Sequence, residues 1–396
     1  MRHISAMVAA ALCGIACASC SRAAAPGLPS AGGGTASFQR PQSGDYRILH
    51  DFGGKGDGSN PQAGLVFLSS TLYGTTVGGG THEYGVVFSL HGGTERVLHD
   101  FGGDADGTYP YGSLIAVSGE LYGTTSAGGN GGGTVFSITT AGDERLRYRF
   151  GGTDGDIPFA GVIAHDGTLY GTTLNGGAHD YGTVFSLNLS GAEAVLHSFG
   201  AGKDGATPED SLIDVNGTLF GTTAAGGAHG EGTVFSVDPK GVERVLYSFK
   251  GEPDGAGPIA SVIYDHGWLY GATQFGGSSQ CYPHGCGVVY RVSPAGGGER
   301  VLFRFSPSDG ENPEGGLIAQ KSVFYGTTFY GGAFNGGTLY SVNAAGTEHV
   351  LHDFGGAGDG VSPYGNLISS NGALYGTTQF GGTYGSAGGT AYSFAP

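Results

Sequence analysis

Beyond about residue 45, the hydrophobic positions of the chain come in short runs of four to six residues. Val, Leu, Phe and Tyr dominate these runs, as in residues 182–187 (GTVFSL) and 96–101 (RVLHDF), and Gly, Asp or Asn bounds them. Runs that are rich in β-branched and aromatic residues and end in turn formers are typical of β-strands. Helix-forming stretches are scarce outside the N terminus, so the pattern predicts an all-β chain.

The runs recur in a fixed order, and one of them contains the core Tyr-Gly-Thr-Thr. Each repeated unit holds four strand-like runs, exemplified by residues 211–213, 169–173, 182–187 and 96–101. The units are 48 to 55 residues apart, as shown by the core glycines Gly74, Gly123, Gly171, Gly221, Gly271, Gly326 and Gly376. A repeat of about this length with four short strands is the pattern of a β-propeller blade.

The phase of the repeat predicts how the blades close. Residues 47–52 (RILHDF) form a fourth run, whereas the last run of the chain, residues 389–394 (GTAYSF), is a third run. An open solenoid gains nothing from this offset. In a ring, the N-terminal strand completes the last blade and covers an edge that would otherwise be exposed. We therefore predict a closed seven-bladed β-propeller, with four antiparallel strands per blade.

The repeated motif also resembles a known family. Leu-Tyr-Gly-Thr-Thr, a Gly-Gly loop and Gly-Thr-Val-Phe are similar to the GloVer tandem repeat of exported bacterial proteins, which carry various surface anchors. The resemblance extends over about residues 45–396 and is specific, because the motif matches in seven copies. Residues 271–292 depart from it through Ala272 and an insertion. It implies an exported or anchored repeat protein and assigns no catalytic residue.

The N terminus has a different composition. Residues 1–25 combine Arg2 and His3 with a short apolar run and end in small residues, which is the layout of a secretory signal peptide. The stretch before Cys20 also resembles a lipoprotein cleavage box, so lipidation of Cys20 is an alternative to plain secretion. Residues 26–44 are rich in Gly, Ser and Pro and are interpreted as a flexible linker. The propeller is then expected over residues 45–396.

Charge restricts the partners that are expected. The formal net charge is −16, charged residues make up 13% of the chain, and no Lys/Arg cluster is present. This composition argues against nucleic acid and against a direct membrane partner, since both attract basic patches. We therefore expect an exported, extracellular, periplasmic or cell-surface monomer that touches a membrane only through a lipid anchor. No cofactor and no metal site is predicted.

Two connections in each unit are long, and both are expected on the same face of the ring, where function tends to lie. One has the pattern Phe-Gly-Gly-x-x-Asp-Gly-x-x-Pro and could present a ring of cation ligands. Asp-Gly is also ordinary turn chemistry, and recurrence in every unit favours that structural role. The aspartates concerned are Asp57, Asp106, Asp154, Asp204, Asp254, Asp309 and Asp359.

The other long loop carries a ring-bearing residue after its Gly-Gly pair. Three or four histidines converging on the axis could bind a metal or exchange protons. Because Phe and Tyr also occur at this position, the shared property is a flat ring, which suits stacking on a ligand or simple loop packing. The candidate binding residues are His82, His179, His229, His284, Phe334 and Tyr384.

Two further features concern histidine and cysteine. His50, His99, His197 and His352 share a strand position with Tyr148, Tyr247 and Phe303, and we expect them in the core on the side of the flanking Val and Phe. Cys281 and Cys286 bracket an insertion and are predicted to form a disulfide, because an exported chain meets an oxidising environment.

Function follows from the repeat only in outline. We expect a non-enzymatic binding or surface-scaffold propeller that holds a glycan or a surface protein on its long-loop face. The alternative is a propeller enzyme, such as a metal-dependent lyase or hydrolase, that uses the loop histidines.

Overall fold

The computed structural model of the protein describes residues 44–102, 106–129, 131–200, 202–281 and 283–396. The predicted signal peptide, the Cys20 alternative and nearly all of the predicted linker lie outside the described residues. In the part of the chain that is described, no helix has the length and apolar character needed to cross a membrane.

The described residues form seven four-stranded antiparallel sheets, together with four two-stranded ribbons in the long loops. In each sheet the first strand pairs with the second, the second with the third and the third with the fourth. The seven-bladed all-β propeller predicted from the repeat is thereby confirmed. We number the blades 1 to 7 along the chain, starting with the sheet whose first strand is Val66–Leu68.

The strands of blades 1 to 4 have the following bounds. Blade 1 contains Val66–Leu68, Thr71–Thr76, Val86–His91 and Thr94–Asp100. Blade 2 contains Ile115–Val117, Glu120–Thr125, Thr134–Thr139 and Glu144–Arg149. Blade 3 contains Ile163–His165, Thr168–Thr173, Thr183–Asn188 and Glu193–Ser198. Blade 4 contains Ile213–Val215, Thr218–Thr223, Thr233–Val237 and Glu243–Ser248.

The remaining blades follow the same plan. Blade 5 contains Ile263–Asp265, Trp268–Thr273, Val288–Val292 and Arg300–Arg304. Blade 6 contains Ile318–Gln320, Val323–Thr328, Thr338–Asn343 and Glu348–Asp353. Blade 7 contains Ile368–Ser370, Ala373–Thr378, Gly389–Phe394 and, from the other end of the domain, Tyr46–Phe52.

The two long loops of each unit also pair with each other. Four units form a two-stranded ribbon, through Gly58–Ser59 with Gly78–Gly79, Gly205–Ala206 with Ala225–Gly226, Gly255–Ala256 with Phe275–Gly276, and Gly360–Val361 with Phe380–Gly381. The other three form a single bridge, Thr108 to Ala127, Asp156 to Asn175 and Glu311 to Tyr330. A 3₁₀ helix, Gly382–Ala387, lies in the corresponding loop of blade 7.

The N-terminal strand closes the ring as the repeat phase predicted. Tyr46–Phe52 pairs antiparallel with Gly389–Phe394, from Tyr46 opposite Phe394 to Phe52 opposite Gly389. The side chain of Phe52 is fully buried, and its ring centroid lies 4.8 Å from that of Phe88 in blade 1. The last blade therefore contacts the first through a shared apolar core.

Buried apolar clusters of the described residues lie between neighbouring blades, one for each of the seven interfaces. Each sheet buries both faces, and this explains why the third strands are almost continuously apolar. The core glycine of Tyr-Gly-Thr-Thr makes this packing possible. A Cβ atom on Gly171 would lie 2.6 Å from Cζ of Phe185, so the ring of the third strand requires glycine beside it.

The two threonines of the core motif have separate roles. The first reaches the neighbouring blade, since Thr222 Oγ1 donates to the Ala260 carbonyl at 3.0 Å and Thr377 Oγ1 donates to the Ala63 carbonyl at 2.9 Å across the closure. The second stays in its own blade, and Thr223 Oγ1 donates to the Ala225 carbonyl at 2.9 Å. Where both threonines make these bonds, the motif supplies one link to the neighbouring blade and one link within its own blade. Blade 5 has Ala272 at the first position, and Thr327 of blade 6 has no partner among the described residues.

We expect Thr222→Val to lower the free energy of unfolding by about 1 kcal/mol, because the Ala260 carbonyl loses its buried donor. Thr327 is the matched control in blade 6. Its hydroxyl is buried and has no hydrogen-bond partner among the described residues, so Thr327→Val should be neutral or stabilising. Urea denaturation measures both changes, and equal losses in the two variants would contradict the proposed link between blades.

Candidate functional site

The connection between consecutive blades ends at the ring axis, just before each first strand. There the chain passes through a left-handed residue, a proline and the residue that we call axial. In blade 4, Thr207 has a φ of 55°, its N–H donates to the Tyr181 carbonyl of blade 3, and its carbonyl accepts from Ala224 N–H. These two bonds hold a conformation that is otherwise unfavourable for a β-branched residue. They direct Pro208 and the axial residue Glu209 towards the axis.

Prolines occupy the same place in all seven units, whereas the axial residues differ. The prolines are Pro61, Pro110, Pro158, Pro208, Pro258, Pro313 and Pro363. The axial residues are Gln62, Tyr111, Phe159, Glu209, Ile259, Glu314 and Tyr364. Together with their neighbours they line one cavity, to which every blade contributes.

The axial cavity is small. The centres of water-sized spheres can occupy about 40 Å³ of it, enough for a few water molecules or one small substituent. Tyr111, Phe159, Glu209, Glu314 and Tyr364 retain partial contact with solvent, so the cavity is accessible. It lies on the same face as the long loops, because the residues before the first strands are the ends of those loops.

Three carboxyl groups meet at the cavity without a neighbouring cation among the described residues. Asp210 accepts hydrogen bonds from Ser211 N–H at 2.6 Å, from Ser261 N–H at 2.7 Å and from Asn366 Nδ2 at 3.3 Å. The bond from Asn366 crosses the axis from blade 7 to blade 4. Glu314 accepts from Gln274 Nε2 at 2.7 Å, and Glu209 makes no side-chain hydrogen bond within the described residues.

Burial changes the protonation of these groups. Burial, followed by the adjacent Asp210 carboxyl, raises the pKa of Glu209 to about 7. Burial raises the pKa of Glu314 to about 8, although the hydrogen bond from Gln274 opposes the rise, and Glu209 adds to it. Burial also raises the pKa of Asp210 despite its hydrogen bonds from two backbone amides. Near neutral pH the cavity therefore holds carboxyl groups that can both donate and accept hydrogen bonds.

Flat rings complete the cavity on one side. Tyr111 and Phe159 come from neighbouring blades and are stacked, with ring centroids 4.3 Å apart and planes 22° apart. Burial raises the pKa of Tyr111 to about 12, so its hydroxyl is neutral. The pKa of Tyr364 is also raised, first by burial and then by Glu314 and Glu209.

The ring-bearing loop residues predicted from the sequence lie elsewhere. All six are exposed, with 61% of the Phe334 surface and 48% of the Tyr384 surface accessible. Phe334 lies over Gly355 and Gly356, the turn that follows the fourth strand of its own blade, and His179 lies over Gly200 in the same way. None of the six lines the axial cavity. Their role in binding remains a prediction for the outer rim.

Two of the other loop residues illustrate the variation around this rim. His82 Nδ1 lies 3.5 Å from Asp100 Oδ1, and the His284 ring lies 5.2 Å from that of Phe275. His229 is exposed on the equivalent loop of blade 4. The described contacts of these histidines are thus local to their own blades.

The loop aspartates hold their own turns together. In blade 4's entry loop, Asp204 Oδ1 accepts from Gly205 N–H at 2.7 Å and Oδ2 accepts from Gly200 N–H at 2.8 Å. Equivalent backbone bonds reach Asp57, Asp106, Asp154, Asp254, Asp309 and Asp359. These carboxylates lie between the blades near the outer strands and do not line the axial cavity.

The strand histidines differ from the prediction in one respect. A bulge in each fourth strand shifts its pairing register, for example between the residues opposite Val87 and Phe88. The shift places His99 opposite Val87 and Val97 opposite Phe88, so that the two side chains face different neighbouring blades. The His99 side chain therefore lies on the same side of the sheet as Phe101 and on the opposite side from Val97. It is half-buried between blades, and its Nε2 lies 3.1 Å from Asp106.

The disulfide predicted from the sequence is confirmed, since Cys281 and Cys286 are bonded in the long loop of blade 5. What sequence analysis missed is the axial set. An alignment of the seven units would have revealed this set. The residue type after each proline varies between units, whereas the flanking positions repeat.

Comparison with known proteins agrees with the fold. The chain matches the Gloeobacter/Verrucomicrobia repeat over residues 26–199, 131–281 and 279–396, and the resemblance to the GloVer repeat is thereby confirmed. No curated protein matches the sequence.

Several solved structures share the fold at low sequence identity. Virginiamycin B lyase from Staphylococcus aureus is similar with a TM-score of 0.56 and 11% identity over 88% of this chain and 99% of that chain. The GH74 xyloglucanase from Xanthomonas campestris has a TM-score of 0.54 and 16% identity over 85% and 52% of the two chains. A putative 6-phosphogluconolactonase from Bacteroides uniformis has a TM-score of 0.51 and 17% identity over 77% and 88%.

Proposed function

Because this chain belongs to the Gloeobacter/Verrucomicrobia repeat family, whose units close here into a seven-bladed ring, we propose that it is an exported, non-enzymatic binding protein that holds a glycan at the axis of its long-loop face. The observation that carries this proposal is the variation of the axial residues. Framework residues such as the prolines recur in every blade, whereas the axial residues Gln62, Tyr111, Phe159, Glu209, Ile259, Glu314 and Tyr364 comprise five residue types. If the axial position served only to close the ring, the same residue type would recur in every blade. A mixed set of residues suits an asymmetric ligand.

The chemistry at the axis suits a sugar. Carboxyl and amide groups of Asp210, Glu314 and Asn366 offer directional partners for hydroxyl groups. The stacked rings of Tyr111 and Phe159 present an apolar surface beside them. The cavity is too small for a whole sugar ring, so it would receive a hydroxyl or hydroxymethyl group while the ring lies above it.

The six exposed rings on the long loops would extend this surface outward. These residues belong to the long loops but do not line the axial cavity, so a longer glycan or a macromolecular partner would be needed to contact both; they are His82, His179, His229, His284, Phe334 and Tyr384. If they contribute as flat rings, His179→Tyr should keep binding and His179→Asn should weaken it, because Tyr384 already occupies the equivalent place in blade 7.

A second candidate is a hydrolase or lyase, and the raised pKa values of Glu209 and Glu314 favour it. A carboxyl group that is neutral near pH 7 can protonate a leaving group, while a neighbouring ionised carboxylate acts as base. This candidate predicts that the glycan bound by the protein is also cleaved.

A glycan array probed with the full chain tests the proposal. We expect a restricted set of glycans to bind the parent, and we expect the Glu209→Gln, Glu314→Gln double variant to bind the same glycans at least tenfold more weakly. A typical hydrogen bond contributes about 1 kcal/mol, so the loss of one at each of the two residues exceeds the 1.4 kcal/mol that corresponds to a factor of ten. Glu83→Gln, on the exposed loop of blade 1, is the control and should bind normally.

Three outcomes distinguish the alternatives. Equal binding by parent and axial variant would contradict the axial site, and no binding to any glycan would contradict the ligand class and favour a surface protein. Release of a shorter product from a bound glycan by the parent, lost in the axial variant, would establish the enzymatic candidate instead. Melting curves for all variants separate loss of binding from loss of folding.

A further inference from the structure

Three of the blade interfaces contain a cluster of one histidine and two carboxylates, far from the axial cavity. The clusters are His50, Asp57 and Glu95 between blades 7 and 1; His99, Asp106 and Glu144 between blades 1 and 2; and His197, Asp204 and Glu243 between blades 3 and 4. In each cluster, one nitrogen and two oxygen atoms lie within 4.8 Å of one another.

The bulge in the fourth strands creates these clusters. In blade 1, Glu95 lies opposite Leu90 and faces blade 7, on the same side as Phe88. Beyond the bulge, His99 lies opposite Val87 and faces blade 2. A regular strand would turn residues four apart to one face. Because of the bulge, the glutamate of a fourth strand lies in the interface with the preceding blade. The histidine of the same strand lies in the interface with the following blade.

The loop aspartate completes each cluster beside the histidine. The distance from His Nε2 to the nearest Asp oxygen is 3.0 Å for His50 and Asp57, 3.1 Å for His99 and Asp106, and 3.3 Å for His197 and Asp204. Atoms bound at about 2.1 Å to one tetrahedral metal ion are separated by roughly 3.4 Å. The histidine and aspartate are thus already at the spacing of two ligands of one ion, and the glutamate oxygen lies within 4.8 Å of both.

The glutamates lack a partner at this position. Glu95, Glu144 and Glu243 each have a buried Oε1 with no hydrogen bond among the described residues, and the same is true of the equivalent Glu193, Glu299 and Glu348 in the histidine-free interfaces. Arg147 and Arg149 attract the Glu144 carboxylate, whereas no Lys or Arg acts on Glu95 or Glu243 in this way among the described residues. A cation between the two carboxylates would give each Oε1 the partner that the described residues do not supply.

Two of the histidine-free interfaces show how a polar atom fills the same space, whereas Phe303 occupies this position between blades 5 and 6. In the interface between blades 3 and 2, Tyr148 replaces the histidine, and its hydroxyl lies within hydrogen-bonding distance of both Asp154 and Glu193. Tyr247 does the same with Asp254 and Glu299. The space between the two carboxylates therefore accommodates an atom that contacts both of them. In these two interfaces that atom is the tyrosine oxygen, and where histidine replaces tyrosine a different atom can occupy the space.

We propose that the three His–Asp–Glu clusters each bind one divalent transition-metal ion, of which Zn²⁺ is the probe. One imidazole nitrogen and two carboxylate oxygens are a ligand set that zinc accepts, with water in the remaining position. The histidines keep about 20% of their side-chain surface accessible, so an ion can enter from solvent. Each ion would join the outer strands of two adjacent blades.

Isothermal titration of the full chain, without a polyhistidine tag and after treatment with a chelator, tests the proposal. We expect three Zn²⁺ ions per chain and a melting temperature that rises with Zn²⁺ and falls again with EDTA. His50→Tyr, His99→Tyr and His197→Tyr should each bind two ions, and the triple variant none. Tyrosine is chosen because it already occupies this place in blades 2 and 4.

The chain also offers a gain of binding and a matched control. Tyr148→His should create a fourth cluster with Asp154 and Glu193 and raise the count to four. His266→Asn, on the exposed turn between the first two strands of blade 5, should leave the count at three. Fewer than three ions in the parent, an unchanged count in the His→Tyr variants, or no fourth ion in Tyr148→His would overturn the proposal, leaving these clusters as hydrogen-bonded links between blades.

Discussion

Deletion of residues 45–52 is expected to lower the melting temperature by about 5 °C or more and to promote aggregation. The deletion removes the fourth strand of blade 7 and with it Phe52, which is fully buried against blade 1. Loss of a buried Phe alone costs roughly 3–5 kcal/mol. The strand Gly389–Phe394 would become an unpaired apolar edge, which favours association between chains.

Calorimetry and light scattering measure this effect. The control is a deletion of equal length, residues 30–37, within the predicted linker, which should melt like the parent. A protein that lacks residues 45–52 yet melts at the parent temperature would show that the N-terminal strand does not hold the ring together.

Phe235→Ala is expected to lower the free energy of unfolding by roughly 3–5 kcal/mol. The Phe235 ring is fully buried between blades 3 and 4, where it packs edge-on against Phe199 at 5.1 Å and over Gly221. Glycine at this place leaves no side chain that could move into the cavity. Phe334→Ala is the matched control, since 61% of Phe334 is accessible, and it should change stability by less than about 0.5 kcal/mol.

Urea denaturation followed by fluorescence measures both variants. Similar losses for Phe235→Ala and Phe334→Ala would mean that stability does not reside in the interfaces between blades. A loss confined to Phe235→Ala supports the packing by which each blade buries the face of its neighbour.

The sequence was sufficient for the framework because the framework repeats. Spacing of the Tyr-Gly-Thr-Thr cores predicted seven units, and the offset between residues 47–52 and 389–394 predicted the strand that closes the ring. The pair Cys281 and Cys286 was predictable from a local insertion in an exported chain. Each of these features leaves a direct trace in residue order.

The candidate site was not predictable in this way, because it depends on positions whose residue types differ between the units. Glu209 and Glu314 are 105 positions apart and meet only because the ring closes around one axis. The ring-bearing position that recurs in the units pointed to the histidines of the long loops, and these lie on the outer rim. The bulge in the fourth strands was not predictable either, because no residue type identifies it. Its effect is to change the face of the sheet on which His99 lies.

Ring closure is the claim on which the axial site depends, because only a closed ring brings Gln62 of blade 1 and Tyr364 of blade 7 to one cavity. Gly44 N–H donates to the Ala395 carbonyl, and Tyr46 lies opposite Phe394, so the two ends of the last hairpin are adjacent. A chain in which residues 44–52 are moved to follow residue 396 would therefore form this hairpin continuously, as in the other six blades.

The melting temperature of this rearranged chain is the most direct measurement. We predict a value at or above that of the parent, with the stability lost by deletion of residues 45–52 fully restored, since the strand returns to the same partner with a shorter connection. A rearranged chain that melts as low as the deletion protein would contradict closure by the N-terminal strand, and with it the single axial cavity.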